Sequence, residues 1–344
     1  MFDIKDNTHR RYNPLTGEWI LVSPHRGKRP WQGQEEKNEE QILPEFDSTC
    51  YLCPGNERAG GIKNPTYTAP FVFTNDFSAI QPNISIGEIT DDLFQAKSER
   101  GVCRVICFSP KHNKTVPELP ISEIELIIQL WQKEYSELGK LEFINHIQIF
   151  ENKGSIMGCS NPHPHCQIWA QESIPEIVKK EDENQLSYFQ KHSKNLLQNY
   201  IEQELLKKER VVAENSHFVA IVPFWAVWPF EIIIVPKNAK PNISELSTDE
   251  IREFAEMYKI VTCKYDNLFK ISFPYSAGIH QAPTNQNESK HWCWHMHFYP
   301  PLLRSASVKK FMVGYEMLAE PQRDITAEQS AEILRNLDST HYKL

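Results

Sequence analysis

The sequence of 344 residues lacks an excess of positive charge: 37 lysines and arginines stand against 45 aspartates and glutamates, which leaves a net charge of −8. Proteins that cover nucleic-acid phosphates or anionic membrane surfaces have the opposite balance. We therefore expect no nucleic-acid partner, and any phosphate chemistry must be local. The hydrophobic content of 40% and charged content of 24% are typical of a globular chain, and the length predicts about two domains.

A long uninterrupted apolar run is also missing. Residues 1–11, MFDIKDNTHRR, contain no signal peptide, so the sequence predicts a cytoplasmic protein whose eight cysteines are thiols or metal ligands. The most apolar stretch, residues 218–236, is interrupted by three prolines and one glutamate. We therefore expect two buried strands there and no membrane span.

Residues 109–138 and 235–268 follow one plan, which indicates an internal repeat. Each segment starts where a strand ends at a Pro-Lys pair and continues into an amphipathic helix, and each is followed by a strand with a His-x-His motif. Both helices are predicted to begin at a capping box. The predicted boxes are Ser122 with Glu125 and Ser247 with Glu250.

The repeat predicts an α+β fold in which two strand-helix-strand halves form a mainly antiparallel sheet with flanking helices. We place the halves at residues 1–176 and 177–344. A connecting helix is expected over residues 176–210, which are rich in helix formers and free of glycine and proline. A last helix is expected over residues 327–337, and a surface loop over residues 27–45.

Cys50 and Cys53 form a C-x-x-C pair. Such a turn presents two thiolates to one metal ion, or it forms a redox pair. Nothing around the pair resembles a thioredoxin strand and helix, and His112, after the first Pro-Lys pair, is available as a further ligand. The pair alone leaves metal binding and redox chemistry open.

The string GCSNPHPHCQIW, residues 158–169, is the most specific in the sequence. On a strand, alternation places His163, His165 and Gln167 on one face and Cys166 on the other. The two prolines beside the histidines cannot donate ladder hydrogen bonds, so a strand that aligns these side chains gives up some of its stability. Such a cost is typical of a functional site. His165 and Gln167 suit phosphoryl transfer, because an imidazole nitrogen can attack phosphorus while an amide donates to a phosphoryl oxygen.

The sequence resembles the galactose-1-phosphate uridylyltransferase family of the histidine-triad superfamily in the strings GCSNPHPHCQIW, CYLCPGN, SPHRGKRPWQG and PPLLRSASVKKFMVGYEMLAEPQRD. The resemblance runs from about Tyr12 to Arg323. It implies a nucleotidyltransferase of galactose catabolism (the Leloir pathway) that converts UDP-glucose and galactose 1-phosphate into glucose 1-phosphate and UDP-galactose by double displacement. His165 matches the nucleophile that carries the uridylyl group, and Gln167 matches the glutamine that contacts the phosphoryl group.

The resemblance also implies two metal sites and a set of substrate contacts. The implied zinc ligands are Cys50, Cys53, His112 and His163. The implied ligands of a second metal, iron or zinc, are Glu181, His280, His295 and His297. The implied substrate contacts are Arg26, Arg29, Ala59, Asn75, Asp76, Asn152, Gly158, Cys159, Ser160, Gln167, Lys310, Phe311, Val313, Tyr315, Glu316 and Gln322. The contacts from Lys310 onward reach the site from a second protomer in the family, so a homodimer with shared active sites is expected.

Two other hypotheses are compatible with these motifs. The first keeps the fold but changes the nucleotide or the acceptor, as in an adenylyl-transferring phosphorylase or a nucleotide-sugar hydrolase. Gln167 favours transfer, because histidine-triad hydrolases typically carry another histidine there. The second is a metal-stapled binding protein without turnover. One departure from the family pattern, Ile279 and Gln281 on either side of His280, concerns the packing around the second metal site.

Overall fold

The computed structural model describes residues 2–28, 43–286, 288–303 and 305–344. The strands in this part of the chain are β1 (His9–Asn13), β2 (Glu18–Val22), β3 (Phe71–Thr74), β4 (Glu88–Asp91), β5 (Phe94–Lys97), β6 (Gly101–Cys107), β7 (His146–Lys153), β8 (His165–Gln171), β9 (Val211–Glu214), β10 (Phe218–Ile221), β11 (Ile232–Pro236), β12 (Tyr275–His280), β13 (His295–Tyr299) and β14 (Gln322–Arg323). The α-helices are α1 (Ile121–Leu138), α2 (Glu176–His192), α3 (Leu196–Lys207), α4 (Thr248–Phe269), α5 (Tyr315–Leu318) and α6 (Ala327–Arg335).

A nine-stranded sheet in the order β3-β6-β8-β7-β12-β13-β11-β10-β9 is the scaffold of the molecule. Every neighbouring pair in it is antiparallel, so the predicted α+β fold with a mainly antiparallel sheet is confirmed. The order β6-β8-β7 of the first repeat recurs, reversed, as β12-β13-β11 in the second. The repeats meet where β7 pairs with β12, so the sheet runs through both, and the division at residue 176 stays a prediction.

One face of this sheet is covered by α1 and α4. The predicted apolar stripes of both helices are buried, and they join the inward side chains of the strands in one core. Trp131 of α1 and Tyr258 of α4 bring their ring centroids to 6.0 Å. Fully burying a large apolar side chain contributes about 1.5 to 3 kcal/mol, so these helices hold one face of the sheet rigid. The opposite face carries the polar side chains of His165 and Gln167 on β8, while on β10 and β11 it packs against α3 in a second apolar cluster.

One of the two predicted capping boxes is correct. Ser247 Oγ accepts from the Glu250 N–H at 3.3 Å, and the Glu250 carboxylate accepts from the Ser247 N–H at 2.8 Å. The box predicted from Ser122 and Glu125 is wrong, because the N-cap of α1 is Pro120, two residues before Ser122, and it makes no side-chain cap. Proline has no side-chain acceptor, so only its carbonyl serves the helix start, accepting from the N–H groups of Glu123 at 3.0 Å and Ile124 at 3.3 Å.

The connecting helix predicted over residues 176–210 forms as two helices, α2 and α3. Ser193 ends α2 in the left-handed conformation with φ of 52°, and Asn195 caps α3 by accepting from the Gln198 N–H. The last predicted helix is confirmed and ends at Arg335. Most of the loop expected over residues 27–45 lies outside the described residues.

The strand predicted over the first His-x-His motif begins only at His165. The prolines on either side of His163 cannot donate to a ladder, so His163 precedes the strand, where its side chain is fully buried. His165 and Gln167 therefore share one face as predicted, without His163. Cys166 points into the core, where its sulfur accepts from the Trp131 indole at 3.2 Å.

A smaller sheet joins the two ends of the chain, because β14 pairs in parallel with β2, which pairs with β1. None of the helices in the described ranges has the length and apolar character that crossing a membrane requires.

Candidate active site

A cavity of about 420 Å³ opens beside the first residues of β8, His165 and Gln167. Its walls come from residues 51–59, from the end of β3 and the turn that follows it, and from β8. Six side chains predicted for the site line it: Ala59, Asn75, Asp76, Ser160, His165 and Gln167. The fold therefore gathers around His165 residues that lie more than one hundred positions apart in the sequence.

A second, smaller cavity of about 40 Å³ shares Ser160, His165 and Gln167 with the first. The predicted residues Asn152, Gly158 and Cys159 complete its walls. Gly158 adopts φ of 80°, and no atom lies within 4 Å of the position of a Cβ there. The glycine is therefore required by the left-handed turn rather than by crowding.

His165 is held as a neutral imidazole with one nitrogen available. Its Nδ1 lies 2.7 Å from the carbonyl oxygen of His163. A carbonyl only accepts, so Nδ1 carries the hydrogen and Nε2 keeps its lone pair. Burial lowers the pKa of His165, which also favours the neutral form. This arrangement suits nucleophilic attack through Nε2.

Gln167 lies two residues further along the same face. The indole Nε1 of Trp169 donates to Gln167 Oε1 at 3.1 Å. Because that contact occupies the amide oxygen, the amide nitrogen is left to donate to an acceptor in the cavity. The site thus combines a nucleophilic nitrogen with a neighbouring hydrogen-bond donor.

The four predicted zinc ligands come together beneath His165. The donor atoms of Cys50, Cys53, His112 and His163 all lie within 4.8 Å of one another, and all four side chains are buried. Cys53 Sγ lies 3.5 Å from His163 Nδ1 and 3.6 Å from His112 Nδ1. Two thiols and two imidazoles at these separations can hold one metal ion.

Hydrogen bonds around this cluster prepare its members as ligands. His163 Nε2 donates to the Ser109 carbonyl at 2.9 Å, so Nδ1 keeps a lone pair directed at the cluster. Asn161 Nδ2 lies 3.4 Å from Cys50 Sγ, and Asn161 Oδ1 accepts from the His163 N–H at 2.9 Å. Burial raises the pKa of the Cys53 thiol to about 11, and a bound cation would offset that cost by favouring the thiolate.

A second cluster contains Glu181, His280, His295 and His297, whose donor atoms also lie within 4.8 Å of one another. His280 Nδ1 lies 2.9 Å from a carboxylate oxygen of Glu181. Both ring nitrogens of His297 and Nε2 of His295 are buried and have no hydrogen-bond partner among the described residues. Buried polar atoms need partners, so this donor set also fits a metal ion.

The departure from the family pattern at Gln281 is accommodated beside this cluster. The Gln281 side chain is fully buried, accepts from the Ile243 N–H at 3.2 Å and donates to the Ile147 carbonyl at 3.1 Å. Both ends of the amide are therefore satisfied, and Gln281 braces the strand that carries His280.

The remaining predicted substrate contacts do not line either cavity. Arg29 lies outside the described residues. Arg26 Nε lies 3.1 Å from Asp324 Oδ1, and Gln322 Nε2 donates to the same oxygen at 2.7 Å. The other residues lie on or near the surface of the C-terminal segment, where Lys310 pairs with Glu316, and the side chains of Phe311, Val313 and Tyr315 are exposed.

Two family models match nearly the whole chain. The galactose-1-phosphate uridyl transferase N-terminal domain matches residues 1–175, and the corresponding C-terminal domain matches residues 181–344. This chain belongs to the galactose-1-phosphate uridyl transferase family. Members of the family are transferases, so the chain is an enzyme of that class.

Relatives at high identity carry the same description. The galactose-1-phosphate uridylyltransferase of Haemophilus influenzae is 54% identical and matches 100% of this chain and 98% of its own length. That of Rattus norvegicus is 48% identical over 100% of this chain and 91% of its own. A solved structure described as uridylyltransferase has a TM-score of 0.76 and 27% identity, covering 95% of this chain and 97% of its own.

A charged residue of the cavity wall, Arg58, was not predicted from the sequence. Arg58 has a side chain only 8% exposed, with its guanidinium 3.8 Å from the centre of the Phe73 ring and 3.3 Å from Asp76 Oδ1. Its position directly before Ala59 was the available signal. An arginine in a polar turn is usually solvated, so its burial becomes visible only when β3 closes over it.

Proposed function

We propose that this protein transfers a uridylyl group from UDP-glucose to galactose 1-phosphate through a covalent uridylyl intermediate on His165. The observation that carries the proposal is the His165 imidazole, whose Nδ1 is committed to a carbonyl and whose ring lines two adjoining cavities. The names of the relatives and their identity over the full chain support the choice of substrates.

In the first step, His165 Nε2 attacks the α-phosphorus of UDP-glucose. The N–P bond forms as the bond from that phosphorus to the bridging oxygen breaks, and glucose 1-phosphate leaves. The amide nitrogen of Gln167 donates to a phosphoryl oxygen as charge develops there. In this proposal Asn75 and Asp76, which line the cavity, bind the ribose hydroxyls.

In the second step, a phosphate oxygen of galactose 1-phosphate attacks the same phosphorus. The N–P bond breaks, UDP-galactose leaves and the neutral imidazole is restored. Neither step requires a proton transfer, because the leaving and attacking groups are phosphates that are ionised at neutral pH. The hydrogen bond from His165 Nδ1 to the His163 carbonyl keeps the ring in one orientation throughout.

We infer that the cluster of Cys50, Cys53, His112 and His163 holds zinc in a closed tetrahedral site. Its role is structural, since it ties the Cys50–Cys53 turn and the segment of His112 to His163, two positions before His165. The cluster of Glu181, His280, His295 and His297 suits iron or zinc. When bound, these ions supply cross-links and charge, and the phosphoryl chemistry stays with His165.

We also propose a homodimer with shared active sites. The cavities are built without residues 310–322, while Phe311, Val313 and Tyr315 of that segment are exposed at 39%, 55% and 51%. An apolar exposed segment that carries predicted substrate contacts suits delivery to the cavity of a second copy. A place in galactose catabolism and a cytoplasmic location complete the proposal.

The test is an intact-mass measurement after brief exposure to UDP-glucose. We expect the mass to rise by one uridylyl group and to return to its starting value when galactose 1-phosphate is added. His165→Ala should form no adduct, and His192→Ala, an exposed histidine at the end of α2, should behave as wild type.

Absence of an adduct in metal-replete wild-type protein would overturn the proposal. Formation of an adenylyl adduct from ADP-glucose in preference to a uridylyl adduct would overturn the choice of nucleotide. An adduct that water removes but galactose 1-phosphate does not would overturn the choice of acceptor.

A further inference from the structure

We propose that Trp169 is a positioning residue that fixes the direction of the Gln167 amide. The proposal rests on the proposed function, because it assigns Gln167 to the phosphoryl group. It adds a residue that acts through Gln167 and that touches no reacting atom itself.

The geometry comes directly from the strand. Alternation along β8 places His165, Gln167 and Trp169 on one face, two residues apart. The Trp169 indole N–H reaches Gln167 Oε1 at 3.1 Å. An indole N–H can only donate, so it accepts no bond from the amide nitrogen and stabilises only the orientation with Oε1 toward Trp169.

The direction of that amide matters because its oxygen and its NH₂ group are similar in size, but the oxygen only accepts hydrogen bonds and the NH₂ group only donates them. Phosphoryl oxygens only accept. In the orientation that Trp169 selects, the Gln167 nitrogen is left to face the cavity that His165 lines. In the reversed orientation an amide oxygen would face a phosphoryl oxygen, which is repulsive and leaves the developing charge without its donor.

The indole is itself held in place. Phe150 packs edge-on against Trp169 with ring centroids 5.7 Å apart and an interplanar angle of 79°. Phe150 lies directly opposite Gln167 in the pairing of β7 with β8. The ring that directs the amide is thus held by a side chain of the neighbouring strand.

The test is Trp169→Phe, which keeps an aromatic ring beside Phe150 and removes the N–H together with part of the indole; the double variant with Gln167→Ala separates the two losses. We expect the single-turnover rate of uridylyl-His165 formation to fall about two- to tenfold, the range of one neutral hydrogen bond. The dissociation constant for UDP-glucose should change less than this rate. In a Gln167→Ala background, Trp169→Phe should have no further effect on the rate.

Trp225→Phe is the matched control, since Trp225 lies in the segment between β10 and β11, where it is buried against Tyr200 of α3. It should leave the rate of adduct formation unchanged. An unchanged rate in Trp169→Phe, or an equal loss with and without Gln167, would overturn the positioning role, the second because it indicates a general packing effect. Failure of the wild type to form the adduct would instead overturn the proposed function.

Discussion

Replacing Asn161 should destabilise the protein by removing the link between the first metal cluster and the backbone before β8. The side chain is 5% exposed, and its Oδ1 accepts from the His163 N–H at 2.9 Å. Asn161→Ala leaves that buried N–H without a partner, which costs about 1 to 3 kcal/mol. Taking about 2 kcal/mol, and an unfolding entropy of about 2.1 cal/mol/K per residue over 344 residues, the melting temperature should fall by roughly 3 °C.

Asn161→Asp separates the two roles of this side chain. A carboxylate still accepts from the His163 N–H, but it replaces the amide nitrogen 3.4 Å from Cys50 Sγ with negative charge. We expect this variant to lose bound metal, while Asn161→Ala loses stability at a given metal content. Calorimetry and elemental analysis on the same samples measure both. A melting temperature in Asn161→Ala equal to that of wild type would refute the reasoning.

Further predictions concern binding, buried charge and metal. Arg58→Leu should raise the KM for UDP-glucose at least severalfold in steady-state assays, because the cavity wall loses its guanidinium. Lys153→Met should cost about 3 to 5 kcal/mol in denaturant unfolding, since it leaves the buried Asp266 carboxylate without the ammonium at 2.8 Å; adding Asp266→Asn should recover part of the loss. Burial opposes ionisation of Glu328, but hydrogen bonds from Arg11 prevail and lower its pKa to about 2. This lowered pKa contributes stability above about pH 4.5 that is lost as the pH falls toward 2, so Glu328→Gln should flatten the stability profile in that window. A strong chelator should lower the melting temperature before it lowers the rate of adduct formation.

The parts of the fold that could be predicted from the sequence are those governed by short-range periodicity. The buried stripes of α1 and α4 follow from the helical repeat, and the shared face of His165 and Gln167 follows from strand alternation. The break at Ser193 could not be predicted, because the residue that adopts the left-handed conformation there is a serine. The glycine or proline that usually signals a helix end is absent from this segment.

The candidate site shows the same division. The two metal clusters were found through the resemblance, and the fold brings both sets together. The cavity wall at Arg58 depends on contacts with Phe73 and Asp76, which come from another part of the chain. The hydrogen bond from Trp169 to Gln167 could be predicted only in part. Strand alternation predicts that the two side chains share a face, but their side-chain torsions decide whether the indole nitrogen reaches the amide.

The pairing of β7 with β12 has a consequence for how this chain is made. Until β12 has been synthesised, β7 is an open edge of the first repeat, with backbone donors and acceptors ready to join any extended segment. One repeat on its own would leave that edge unpaired, whereas in the full chain β12 of the second repeat covers it. Two fragments made by dividing the chain near residue 176 should therefore aggregate when each is expressed alone and remain soluble when they are co-expressed.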